Sequence, residues 1–483
     1  MNESFRVAQK LGLMFRPSEP LPKDIKAWAL SQLQAPSPAL GKASKYASIE
    51  PWPDALQPDL SKRAQMWRLF RENRKKARAR KDGQDTEAAK KTNERNNLMR
   101  KKDELKFAHR NVYGDDQLKL RFTTFWANHF TIGNTFDTSS MIGHAIDEAI
   151  LANLNGDFAN MLYLMTTHPG MLRYLDNIWS AGEKSKKVKN CRKRPNCQAG
   201  LNDNLGRELL ELHTLSPAAG YTETDIRNAA RVLAGWGMDF EASNQEMRED
   251  ANTTNHWQAF KPYYAEPGTK KVFGKTIYAG KNGLKQLTDH LAENDYTIKH
   301  IATKLCQHFV SDQPHQADID YVAQAWRQSN GQLDQIHAAV IERAIDSKEA
   351  KFIWPMTWLF QVIRISDATF FKGWNDIYNY DNNLMSTEKI FAELGQSFWS
   401  SRQPDGYSSD RQDWLSAEML ERRIRFADAI YNAGSTKQKA SEIMDRLGVN
   451  EATRSLVASA GKSRRHQFIA LMCSPELMGL SHV

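Results

Sequence analysis

The sequence predicts a mainly α fold: one large, bundle-like helical domain over residues 1–483, with a protruding basic helical hairpin at 61–110 and a small irregular or β-hairpin insertion at 239–281. Three observations predict it. Apolar residues recur at three- and four-residue spacing through most of the chain, the period of a helix with one buried face. Strand-like character is confined to one short stretch around Gly274. The positive charge is gathered in one alanine-, lysine- and arginine-rich region that turns on a single Asp-Gly pair.

Composition agrees with this class. At 483 residues, 41% hydrophobic and 25% charged, with a mean hydropathy of −0.63, the chain can bury a sizeable core and is neither a membrane bundle nor a disordered chain. Residues 1–13 lack the apolar stretch and small-residue cleavage site of a secretory signal, and no window approaches 18 apolar residues. A cytoplasmic location with no membrane span is therefore expected. The formal charge of +9 suggests an anionic partner.

The hairpin comes first along the chain. Residues 61–110 hold 18 Lys or Arg and 7 Asp or Glu, a net of +11, which leaves −2 for the rest of the +9 total. Good helix formers flank Asp82-Gly83, so two arms turn near Gly83. Large apolar residues stand only at the base: Met66, Trp67, Leu69 and Phe70 on one arm, Leu98, Met99, Leu105 and Phe107 on the other. A tip with nothing apolar larger than alanine should project into solvent, as an anion-binding arm or as a solvated surface. Nucleic acid is disfavoured there because no aromatics interleave with the cations.

Residues 142–164 read as two helices broken at Asn155-Gly156-Asp157. A second basic run, 184–194, reads as a polar loop between helices. Cys191 and Cys197 bracket its end; the spacing permits a disulfide or two metal ligands, but it is not the two-residue gap of a zinc knuckle, and two ordinary loop thiols are expected. Thr222 and Asp225 form a capping box that opens a helix stopped by Gly235-Trp236-Gly237. The insertion follows, with Gly274 at a turn. Helices resume over 284–344 and 356–365, an aromatic and turn-rich stretch spans 367–406, and 414–483 is helical again.

Chemistry concentrates in three segments: Trp126-Ala127-Asn128-His129-Phe130, His168-Pro169-Gly170 through Asp176-Asn177, and Asn202 through Thr214. In the third, Leu205, Leu209 and Leu212 form a core stripe, and Asn204, Arg207, Glu208 and Glu211 share a flank. Glu208 and Glu211, three apart, can address one centre, as metal ligands or as an acid and base. His213 lies about 160° from Glu211 and joins a metal site only if the helix ends there. The plainer alternative is an Arg207–Glu211 ion pair with His213 capping the helix. No dinucleotide fingerprint, P-loop, nucleophile elbow or zincin motif occurs.

These blocks, with Gly220-Tyr221-Thr222, Gly235-Trp236, His308-Phe309-Val310-Ser311-Asp312, Leu394-Gly395-Gln396, Trp414-Leu415-Ser416 and Ser474-Pro475-Glu476, resemble the signature of the bacterial domain of unknown function 1800 family across essentially the whole chain. The resemblance implies a helical single-domain protein, often encoded beside a family that is similar to alkaline phosphatases and sulfatases. Two departures stand out: Tyr407 where the family has Trp, and Ala265-Glu266 where a His tends to precede Pro267-Gly268.

The functional expectation has two forms. As an enzyme on an anionic or polymeric substrate, the chain would use Glu208, Glu211 and His129 as catalytic groups, and Asn204, Arg207, Trp126 and Asp176 as substrate contacts. A divalent metal, if used, would sit on Glu208, Glu211 and His213. As a non-catalytic scaffold, it would dock an anionic partner, or a protein of the phosphatase- and sulfatase-like family, through the basic hairpin.

Overall fold

The computed structural model describes residues 1–34, 60–79, 86–134, 138–238, 258–368, 387–397, 399–401, 403–432 and 438–480. The turn expected at Gly83, residues 239–257 of the insertion and 369–386 of the aromatic stretch lie outside them. Helix dominates the described residues, as the apolar periodicity predicts.

The helix Glu3–Leu11 is capped by Asn2, whose side chain accepts from the Phe5 amide at 3.2 Å, and it buries every residue from Phe5 to Leu11. Its polar side chains are buried because they satisfy backbone elsewhere. Lys10 donates to the carbonyls of Val310 and Ser347, Arg6 to those of Ile345 and Ser347, and Gln9 to that of Glu476. Residues hundreds of positions apart are thus fastened to one short helix. Against it pack Gln117–His129 and Leu333–Asp346, and the latter packs in turn with Asp295–Phe309 and Gln316–Ser329. Pro355–Ile365 is buried all round, the pattern of a central core helix. Its one charge, Arg364, is fully buried yet donates to the carbonyls of Met14, Val112 and Gly114 and to both oxygens of Glu19.

The basic hairpin consists of two paired helices, Leu60–Arg78 and Glu87–Tyr113. Its tip does bury a seam, contrary to expectation. Asn73, Ala77, Ala89, Thr92 and Asn96 are buried between the arms, because small side chains let two helices approach without large apolar residues. Its base is held by charge as well as by rings. Arg63 is clasped by both oxygens of Asp103 at 2.6 and 2.8 Å and donates to the Ser140 carbonyl, while Lys106 pairs with Asp147 and Arg100 with Glu104. Gly143 makes room for this: a Cβ there would lie 2.4 Å from the Asp103 carboxyl.

Residues 142–153 form a short α-turn, a π-turn and a 3-10 turn in place of one regular helix; Asp157 then caps Phe158–Thr167. The Thr222–Asp225 capping box closes in both directions at 3.2 and 2.9 Å. Lys270–Val272 pairs antiparallel with Lys275–Ile277 around Gly274, whose φ of +83° suits glycine. A second antiparallel pair, Trp236–Met238 with Gln258–Phe260, was not foreseen. Cys191 and Cys197 are joined in a disulfide, not left as thiols: Cys191 ends the helix Lys186–Cys191, and Asn196, at a φ of +62°, turns the chain back to meet it.

Candidate functional site

The Asn204–Glu211 helix is seated by Leu205, Gly206, Leu209 and Leu210. Gly206 is a contact point, since a Cβ there would stand 2.8 Å from the Ala230 amide nitrogen of the Glu223–Leu233 helix. That close approach places Arg207 beside Glu223, which it grips with two hydrogen bonds at 3.0 and 3.1 Å. The i,i+4 pair with Glu211 is therefore not made. Glu211 instead accepts from the Tyr221 hydroxyl, and burial together with this carboxylate pushes that phenol up to about 12.

Glu208 is half-buried, and no lysine or arginine among the described residues pairs with it. Burial raises its carboxyl above the usual range, the Glu211 and Asp405 charges add to the rise, and Arg207 opposes them. Asp405 arrives from a loop 197 positions further on in the chain. Asn128 holds that loop by donating to the Tyr407 carbonyl at 3.0 Å and accepting from the Tyr407 amide at 2.7 Å. Gly406, with a φ of +82°, lies so close to Asn128 that a Cβ would meet its carbonyl at 2.5 Å. The Tyr407 hydroxyl donates to the Ser397 carbonyl, a use that tryptophan could not reproduce in the same form. Asp405 itself stays exposed. The Tyr174 phenol is pushed up by burial and then by Glu208 and Asp405.

The imidazoles sit behind these carboxylates. His129 ends its helix, and its Nε2 stands 3.2 Å from the His213 carbonyl, so Nε2 carries the proton. Its Nδ1 then accepts from Lys304 Nζ at 3.2 Å. Burial, Lys304, His213 and His300 hold His129 neutral. Lys304 is lowered to about 8 by burial, against the pull of Asp405. The Asn204–Glu211 helix ends where the amides of Leu212 and His213 both bond the Glu208 carbonyl, and the His213 ring turns inward. It is 1% exposed, neither ring nitrogen has a partner, and burial followed by Lys304 lowers it to about 3.

Several expectations need correction. His213 neither caps the helix nor joins Glu208 and Glu211, and among the described residues no group of three or more His, Cys, Asp or Glu is arranged to hold a metal. Trp126 is fully buried in the core and donates to His337 Nε2 at 3.0 Å. Asp176 belongs to a turn, at a φ of +57°, where it pairs with Arg173. His168 caps its own helix through the Gly170 amide and bonds His144. Asn204 is an exposed first residue of its helix. Two groups form with residues the sequence did not single out: Glu208 and Glu211 with Tyr174, Tyr221 and Asp405, and His129 with Lys304 and His300, the Asp405 charge acting on both Glu208 and Lys304. One signal for them exists, since His300, Lys304 and His308 recur every four residues and share a helical face; nothing local marks Asp405.

Asn128 and Tyr407 also line a cavity of about 60 Å³ walled by Phe130, Ile142, Ile146, Trp354 and Trp399. Thr124 and Thr131 at its edge spend their hydroxyl protons on the carbonyls of Leu120 and Asn128, which leaves its lining largely apolar.

Residues 13–478 match the model of a family described as Protein of unknown function (DUF1800). No curated protein and no solved structure matches the chain.

Proposed function

The chain belongs to the DUF1800 family, and from that premise we propose that it is an acid–base enzyme acting on an anionic or polymeric substrate where the end of the Asn204–Glu211 helix meets the loop that carries Asp405. Glu208 is the proton donor, Asp405 the paired carboxylate, and Lys304 the cation that meets substrate charge. His129 is a positioning residue: its fixed tautomer aims Lys304 and leaves the imidazole no second task. Glu211, engaged by Tyr221, supplies part of the negative potential that raises the Glu208 carboxyl.

One observation carries this reading. Glu208 is raised by burial and by two neighbouring carboxylates, while the arginine on its own helix is committed to Glu223. A carboxyl raised by burial and by neighbouring carboxylates is a usual preparation for proton donation. The test is a turnover screen with p-nitrophenyl glycosides, esters, phosphates and sulfates, read beside the Glu208 titration from carboxyl NMR difference spectra of native protein and Glu208→Gln. A Glu208 titration above 4.5, with any turnover lost in a folded Glu208→Gln, is expected. Titration at or below 4.5, or turnover that survives the substitution, overturns the proposal.

A docking role for the hairpin is the second reading, supported by the exposed cations Lys75, Lys76, Lys90 and Lys91 on its outer faces. Its partner there is a protein with an acidic surface, such as the phosphatase- and sulfatase-like neighbour. Co-elution with that protein should be lost when Lys75, Lys76 and Lys90 are changed to Glu, and co-elution that persists refutes the docking role.

A further inference from the structure

A second run of exposed charge, besides the hairpin's, lies on the stapled loop. Residues 184–194 carry seven lysines and arginines, and no acid follows until Asp203. None of the seven makes an ion pair with a carboxylate among the described residues; Lys187 lies over the Tyr264 ring at 5.1 Å. The nearby acids are already engaged. Glu183 is held by Arg227 at 2.5 Å and by Arg231 at 2.7 Å. Glu266 is buried and accepts from the Lys184 backbone amide at 2.8 Å.

This charge is mounted on a fixed frame. Ser185 caps the helix Lys186–Cys191, Val188 is 1% exposed and anchors it, and the disulfide closes its far end. Backbone bonds tie the loop to its neighbours, from Gly182 to Tyr264, from Lys187 to Tyr263 and from Ala181 to Gly200. Asn190 donates to the Tyr263 hydroxyl at 2.9 Å, so a half-exposed aromatic ring borders the cations. A second ring, Trp179, stands at the base of the loop with the Arg71 guanidinium of the hairpin 5.2 Å from its centroid.

We infer that this loop, flanked by Tyr263 and Trp179, is a docking surface for an acidic polysaccharide. A rigid array of unpaired cations gains affinity by releasing the counterions of a polyanion, and pre-organisation removes the ordering cost that a floppy lysine tail would incur. The disulfide speaks for an oxidising compartment and against the cytoplasmic location the sequence suggests, and in such a compartment carboxylated and sulfated glycans are the polyanions at hand. Binding here is independent of the chemistry proposed at Glu208.

The experiment measures affinity for heparin, polygalacturonate and a 20-nucleotide oligothymidylate at several salt concentrations. Three proteins are compared with the native chain: Lys186→Glu/Lys189→Glu/Arg192→Glu in the loop, Lys75→Glu/Lys76→Glu/Lys90→Glu in the hairpin, and Cys191→Ala/Cys197→Ala. Circular dichroism melts confirm that each is folded. The loop variant should bind the polysaccharides at least tenfold more weakly, with a shallower salt dependence, and the hairpin variant within threefold of native. The cysteine variant, which keeps every charge, should fall between them. Equal losses in loop and hairpin variants reduce the effect to net charge and overturn the proposal. Oligothymidylate binding as tight as that of the polysaccharides overturns the choice of partner.

Discussion

Acidification from pH 7.5 to 5.5 should remove about 4 kcal/mol of stability through three histidines alone. His168, His213 and His337 are each 1% exposed or less, and each is lowered to about 3, chiefly by burial. His337 shows why. Its Nε2 accepts from the Trp126 indole and its ring stacks on Phe122 at 4.0 Å, so a second proton would set two donors against each other in an apolar site. The sign follows from proton counting: between about 3 and 6.5 the unfolded chain binds protons that the native one does not, so stability falls as pH falls through that window. Each histidine contributes RT ln(1 + 10^(6.5 − pH)), about 1.4 kcal/mol at pH 5.5 and near zero at pH 7.5. Carboxylates held low, such as Glu183 bonded to Arg231 and Arg227, act only below their ordinary range and stay outside this interval. Urea unfolding at the two pH values, followed by tryptophan fluorescence, measures the difference directly. The variant His337→Gln should recover about 1.4 kcal/mol of it, the share of one such imidazole. A loss of less than about 1 kcal/mol between the two pH values would show that these imidazoles titrate normally, and the buried neutral cluster would then be wrong.

Three further predictions follow from single contacts. Gly206→Ala should destabilise the chain by about 1–3 kcal/mol in chemical denaturation, because the new methyl group meets backbone of the Glu223–Leu233 helix that has no rotamer to change. Arg63→Ala should cost about 3–5 kcal/mol by stranding the buried Asp103 carboxylate, and adding Asp103→Ala should cost much less than a second such loss; additive losses would refute the pairing. Metal analysis of the purified protein and of Glu208→Gln/Glu211→Gln should give the same content, since the two glutamates and His213 do not converge; stoichiometric metal lost in the double variant would reverse that conclusion.

What the sequence made legible were features written in local spacing. The helical class, the Thr222 capping box, the Gly274 turn and the two arms of the hairpin each follow from residues within one or two turns of one another. The site was legible only in part, for the same reason. Glu208 and Glu211 were visible as a pair on one helix, but Asp405 and Lys304 reach them through tertiary packing that no interval predicts. Arg207 was misassigned because an i,i+4 neighbour was in view, while Glu223, 16 positions on, was brought closer by a glycine contact. The burial of Trp126 was not legible because an aromatic block reads alike whether its indole nitrogen faces solvent or a buried imidazole.

Charge shows the same limit most clearly, and it redirects the search for a partner. The net of +11 in residues 61–110 points to the hairpin as the anionic contact, yet Arg63, Arg100 and Lys106 are buried and paired, so part of that excess is structural and unavailable to any ligand. The loop at 184–194 holds fewer cations, but none is paired with a carboxylate among the described residues, and a buried valine, a cap and a disulfide fix their arrangement. Attraction to a polyanion depends on charges that are both exposed and uncompensated. By that measure the loop is a surface on which an acidic polymer should be sought that a count of cations overlooks, because availability is set by pairing as well as by number.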